Sequence, residues 1–188
     1  ILPRAAGLPD AAFIHDGQLT KREVRAATIA ALKPLAGQLL WDVGAGCGSV
    51  AIEWMRASGR PQAIAIEHNR DRAAMIAGNA SSMGVPDLRV VIGDAPSALK
   101  ELPLPNAIFI GGGVTSLDLL SDCWTALTSG GRLVANVVTA EGEAALLSAF
   151  ETYGGAMVRI AISRLEPLGG FRSWRPQLPV TQWMVQKP

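Results

Sequence analysis

Short apolar runs recur along this chain, each ending near a glycine, a proline or a carboxylate, and the stretches between them return apolar residues at helical spacing. Leu39 to Val43, Gln62 to Glu67, Leu88 to Ile92, Asn106 to Ile110 and Arg132 to Val138 have the length and bulk of buried strands. Helices are expected from Thr20 to Pro34, Val50 to about Ala57, Arg70 to Met83, Ser116 to Leu127 and Glu141 to Tyr153. The first opens on Thr20-Lys21-Arg22-Glu23, a capping box in which Thr20 caps the helix and Glu23 reaches back. Met157 to Leu165 and Val180 to Gln186 read as two final strands joined without a helix, which makes them an antiparallel pair.

Strands alternating with helices predict an α/β fold with a mostly parallel seven-stranded sheet, right-handed crossovers and helices on both faces. Residues 7–19 mix turn formers with apolar anchors and read as an ordered arm, so residues 7–188 form one domain and residues 1–6 a linker. The opening Ile1-Leu2-Pro3-Arg4, without methionine, gives the expectation of a piece excised from a longer protein.

At 188 residues the chain is long enough for one substantial core, and no apolar run approaches the roughly 18 residues of a spanning helix. A formal net charge of +1 provides no broad basic field, so nothing at this level asks for nucleic acid or an anionic membrane. Cys47 and Cys123 lack metal-ligand spacing and read as small buried residues of a reducing, cytoplasmic compartment. His15 and His68 are the only histidines and are expected to be structural, so no metal centre is expected.

The chemistry concentrates where the first strand meets its helix. Asp42-Val43-Gly44-Ala45-Gly46-Cys47-Gly48-Ser49 spaces its glycines G-x-G-x-G, and serine stands where a dinucleotide-binding turn has its third glycine. The pattern resembles the first motif of S-adenosylmethionine (SAM)-dependent methyltransferases; a tight structural turn is the other reading. Glu67 ends the second strand at the ~20-residue offset at which a carboxylate accepts from a ribose, or is a solvated strand end. Asp94 with Ala95 follows the third strand, placed to meet an adenine or to cap residues 97–102. Gly111-Gly112-Gly113 leaves room at the tip of the fourth.

Gly7-Leu8-Pro9-Asp10, Leu19-Thr20-Lys21-Arg22-Glu23-Val24-Arg25, the glycine turn, Glu67, Gly93-Asp94-Ala95-Pro96 and Ile110-Gly111-Gly112-Gly113 together resemble the CbiT family. That family also forms the C-terminal domain of CobL, the decarboxylating precorrin-6Y C(5,15)-methyltransferase of cobalamin biosynthesis, and the similarity runs over about residues 7–187. The resemblance implies a class I methyltransferase that uses SAM, methylates the C15 meso carbon of a precorrin and removes the acetate carboxyl at C12. It also implies a homotetramer, and the linker-like start suits a form fused to an N-terminal C5-methylating domain.

By the same resemblance Gly44, Ala45, Gly46, Cys47 and Gly48 line the cofactor with Glu67 and Ala95, Asp42 and Asp94 are cofactor contacts at their strand tips, and Thr20 borders the pocket. Gly111, Gly112 and Gly113 face the macrocycle. Tetrapyrrole precursors carry many carboxylates, for which Lys21, Arg25, Arg172 and Arg175 are candidates, with solvated surface charge the alternative for each. No catalytic base is assigned, since a conjugated tetrapyrrole is its own electron sink. A methyltransferase acting on RNA or another small molecule, or a non-catalytic SAM-binding module, would share the cofactor contacts.

Overall fold

The computed structural model describes residues 2–57, 59, 61–116 and 118–188. Ile1, expected in the linker, and Leu117, expected in the fourth helix, lie outside the described residues. In chain order the elements are α1 (Arg22–Leu32), β1 (Leu39–Val43), α2 (Ser49–Arg56), β2 (Gln62–Glu67), α3 (Arg70–Ser82), β3 (Arg89–Ile92) and β4 (Ala107–Ile110). They continue with α4 (Leu119–Ala126), β5 (Arg132–Val137), α5 (Ala140–Tyr153), β6 (Ala156–Ile160), β7 (Ser163–Leu168), β8 (Phe171–Pro176) and β9 (Val180–Gln186).

Seven strands form one sheet in the order β3-β2-β1-β4-β5-β9-β6. The first five run parallel, and β9 enters antiparallel between β5 and β6. Alternation along each strand divides its side chains between two cores. Leu40, Ala107 and Phe109 pack with α1, α2 and α3, whereas Trp41, Val43, Ile108 and Ile110 pack with α4 and α5. Register enforces the division: Trp41 stands beside Ile64 and Ile108, and Val43 beside Ile66 and Ile110. The strands between α layers therefore read as nearly continuous apolar runs in sequence. Among the described residues no helix is long and apolar enough to cross a membrane.

Three local expectations are corrected. The capping box does not form: Lys21 is the N-cap of α1 and makes no side-chain cap bond, and Glu23 instead pairs with Arg164 at 2.7 Å. The single strand expected over Met157 to Leu165 ends at Ile160, because residues 163–168 leave the sheet to pair with residues 171–176 as a separate hairpin, β7–β8. The fourth helix begins at Leu119, after a turn in which Ser116 N–H bonds Gly113 O.

The arm is ordered by a buried ion pair. Arg25, wholly buried, donates through Nε to Glu53 Oε1 at 2.6 Å and through Nη1 to Asp10 at 3.3 Å. Nη1 and Nη2 also donate to the carbonyls of Thr20 and Leu8. Glu53 also accepts the N–H groups of Gly7 and Leu8, at 2.7 and 2.9 Å. Further along the arm, Asn79 holds Ile14 by N–H and C=O at 2.8 and 2.9 Å and takes the Cys47 carbonyl at 3.0 Å, tying arm to glycine turn.

Candidate functional site

The C-terminal tips of β1, β2, β4 and β5 converge on a cavity of about 920 Å³, roofed by arm residues Gly17 to Lys21. This is where an open α/β sheet holds ligands, and the volume is at the upper end of the roughly 300–1,000 Å³ common for such clefts. Gly44 and Gly46 turn the chain with φ of 70° and 58°. At Gly46 a Cβ would lie 3.0 Å from the Gln18 carbonyl, so the arm sits directly on the turn.

Glu67, only 2% exposed, reaches across the tip of β2. Its Oε2 accepts the Gly46 N–H at 2.9 Å and Oε1 the Asn69 N–H at 3.0 Å. Two backbone donors thus fix the carboxylate while each oxygen keeps a lone pair, and the side chain borders the cavity. His68 Nδ1 lies 3.3 Å from Oε1, with the imidazole 64% exposed in the same wall. Arg72 Nε donates to Asp16 Oδ2 at 2.8 Å, linking α3 to the arm, and holds the Asp16 carboxyl below its usual range.

Asp42 plays a different part. It is 1% exposed; Oδ2 accepts the Ala51 N–H at 2.9 Å and braces the start of α2, while Oδ1 is buried without a partner among the described residues. Burial raises its pKa to about 7, opposed by the Ala51 hydrogen bond and assisted by the charge of Glu67.

Of the residues expected at the cofactor, Thr20, Gly44, Ala45, Gly46, Glu67, Asp94 and Ala95 border the cavity. Asp42, Cys47 and Gly48 do not; they stand behind it. A Cβ on Gly48 would fall 2.8 Å from Ile76, so that glycine serves helix packing. Cys47 is buried and its thiol pKa is pushed up by burial, which makes it a packed hydrophobe. Asp94 is exposed, and its carbonyl, not its carboxylate, accepts from Ala98 N–H and Ser97 Oγ.

Of the residues expected at the substrate, Gly111, Gly112, Gly113 and Lys21 border the cavity. Arg25 does not, because every nitrogen of its guanidinium is spent on Glu53 of α2 or on the arm. Arg172 and Arg175 do not border it either: both lie on the exposed strand β8, where Arg175 pairs with Glu166 at 3.2 Å. His68 and Arg72, and at the far wall Asn136, Thr139 and Gln177, also border the cavity, and no spacing in the sequence marks them. The signal for Asn136 was present as a lone amide among the apolar residues of Leu133 to Val137.

Comparison with known proteins agrees with this geometry. A profile of the precorrin methyltransferase domain matches residues 11–187. A Sinorhizobium protein named precorrin-6Y C(5,15)-methyltransferase [decarboxylating] is 56% identical over 187 residues, which is 100% of this chain and 45% of that protein. The chain thus spans about half the length of such a relative. A Pyrobaculum aerophilum protein named probable cobalt-precorrin-6B C(15)-methyltransferase (decarboxylating) is 34% identical, covering 93% of this chain and 92% of its own. The crystal structure of the C-terminal domain of precorrin-6Y C5,15-methyltransferase from Rhodobacter capsulatus superposes with a TM-score of 0.93 at 46% identity, covering 99% of this chain and 100% of that one.

Proposed function

This chain belongs to the precorrin methyltransferase domain family, and on that footing we propose that it transfers a methyl group from SAM to the C15 meso carbon of a precorrin and removes the carboxyl group of the C12 acetate. The observation that carries the reading is one cavity with two unlike halves. One half has the glycine turn, Glu67 and Ala95; the other opens past Gly111–Gly113 onto a broad apolar wall of Val137, Val138, Ile160 and Ile162. The relatives' names supply the substrate class.

The residues present fit SAM. The Glu67 carboxylate, already oriented by Gly46 and Asn69, offers the pair of acceptors that a ribose diol needs. Bound there, SAM would supply an electrophilic methyl group. The protein's share is alignment: the arm covers the turn, the glycine backbone admits close approach, and Phe109 and Val114 exclude water between the halves. Lys21, which borders the cavity at the arm, would meet a substrate carboxylate.

The homotetramer expected from the family also rests on the exposed hairpin. Phe171 is 83% and Trp174 67% exposed, on a ribbon of which neither strand is buried. Light scattering on the wild type and on Trp174→Glu tests this: a monomeric wild type defeats it. The function itself is tested by incubation with SAM and a precorrin, where a product heavier by one methyl and lighter by carbon dioxide is expected. SAM binding without turnover selects a binding module instead.

A further inference from the structure

Charge is distributed unevenly around the cavity. Glu67, His68, Arg72 and Asp94 line its β2–β3 side, and Lys21 its arm. The opposite end, built by the tips of β5, β6 and β9, presents Asn136, Thr139 and Gln177 among valines, isoleucines and a leucine. No ionisable side chain lines that end among the described residues.

Asn136 is held there by a closed set of hydrogen bonds. Thr28 Oγ1, fully buried, gives its hydrogen to the Val24 carbonyl at 2.8 Å. Its two lone pairs must then receive N–H donors, which are Asn136 Nδ2 at 2.9 Å and Gln182 Nε2 at 3.1 Å. Gln182 Nε2 also donates to Asn136 Oδ1 at 2.9 Å. The amide of Asn136 therefore has one orientation. Its second N–H has no partner among the described residues, on a side chain that borders the cavity.

From this geometry we infer that Asn136 binds the carboxylate that is lost as carbon dioxide, in a cavity end kept free of cations. The inference rests on the function proposed above. In the step concerned, the bond between the acetate methylene and its carboxyl carbon breaks, carbon dioxide leaves neutral, and the electron pair passes into the conjugated macrocycle; a proton from water later completes the methyl group. Negative charge thus moves away from the carboxylate as the transition state forms. A lysine or arginine would grip the starting carboxylate hardest and raise the barrier. A neutral donor in an apolar wall orients the group without that penalty. Thr28 and Gln182 are positioning residues for Asn136.

Asn136→Ala and Asn136→Asp test it, the second because it keeps size and the Gln182 contact but replaces the donor with a charge that repels the substrate. Both variants are expected to bind SAM as the wild type does by calorimetry. At subsaturating precorrin, carbon dioxide release should fall about 10–100-fold in Asn136→Ala, mostly through a raised precorrin KM because the bond is strongest to the starting carboxylate, and further in Asn136→Asp. A purely structural asparagine, whose Nδ2 serves only Thr28 Oγ1, would lower the melting temperature and leave the precorrin KM unchanged, which would overturn the inference. Asn136→Asp equal to or faster than Asn136→Ala, wild-type rates in either, or lost SAM binding in both overturns the inference alone. A wild-type chain that neither methylates nor decarboxylates a precorrin overturns the function and this inference together.

Discussion

Gly44 and Gly112 meet backbone to backbone, but not symmetrically. A Cβ on Gly44 would fall 2.8 Å from Gly112 N, whereas a Cβ on Gly112 would come no closer than 3.9 Å to Gly44 Cα. Gly44 also has φ of 70°, and Gly112 is not among the positive-φ glycines. The first glycine is thus demanded by the fold, the second only by what occupies the cavity.

Two substitutions should separate these demands. Gly44→Ala is expected to cost roughly 1–3 kcal/mol in stability through backbone strain and the clash, and to weaken SAM binding. Gly112→Val should melt near the wild type, bind SAM, and fail to turn over a precorrin. Thermal melts with and without SAM beside the activity assay check both. A Gly112→Val protein that still converts the precorrin shows that the triple glycine does not border the substrate.

Glu67→Ala should weaken SAM affinity by roughly 1–3 kcal/mol, since it removes a charged acceptor and also frees the Gly46 N–H. Glu67→Gln keeps one acceptor and should lose less. Calorimetry that finds unchanged affinity in folded Glu67→Ala removes this residue from the site.

Arg25 should behave as a stability residue and not as a substrate contact. Its pair with Glu53 is buried on both sides, so Arg25→Met leaves an uncompensated carboxylate and is expected to cost roughly 3–5 kcal/mol. Urea denaturation reads this. A variant of normal stability with a raised precorrin KM would return Arg25 to the substrate list.

Asp42 gives stability a pH dependence of definite sign. Its folded pKa of about 7 lies above the usual aspartate value of 3.8, so the folded chain binds the extra proton between those values. Its contribution is fully present below the lower value and is lost as pH rises through about 7. The stability of the wild type relative to Asp42→Asn should therefore be lower at pH 8 than at pH 5. A difference that is constant across that interval contradicts the assignment.

The sheet was legible because its apolar strands end at residues of distinct chemistry, and each such end fell on a tip. Arg25 was not legible: a cation on an amphipathic helix reads the same whether it faces water or Glu53, which is distant in sequence. The hairpin was hidden by Pro167, Gly169, Gly170 and Pro176, which read as connector, and by strands of which neither face is buried. Asn136 needed tertiary information, because its role depends on Thr28 from α1 and Gln182 from β9 meeting it.

The central claim is that one cavity serves both methyl transfer and carbon dioxide loss. Its most direct measurement is a single-turnover reaction of the wild-type chain with methyl-13C-labelled SAM and a precorrin that retains its acetate, read by NMR and by released carbon dioxide. The account predicts the label on the C15 meso carbon and one equivalent of carbon dioxide per methyl transferred. Label at any other position, or methyl transfer without carbon dioxide, would contradict it.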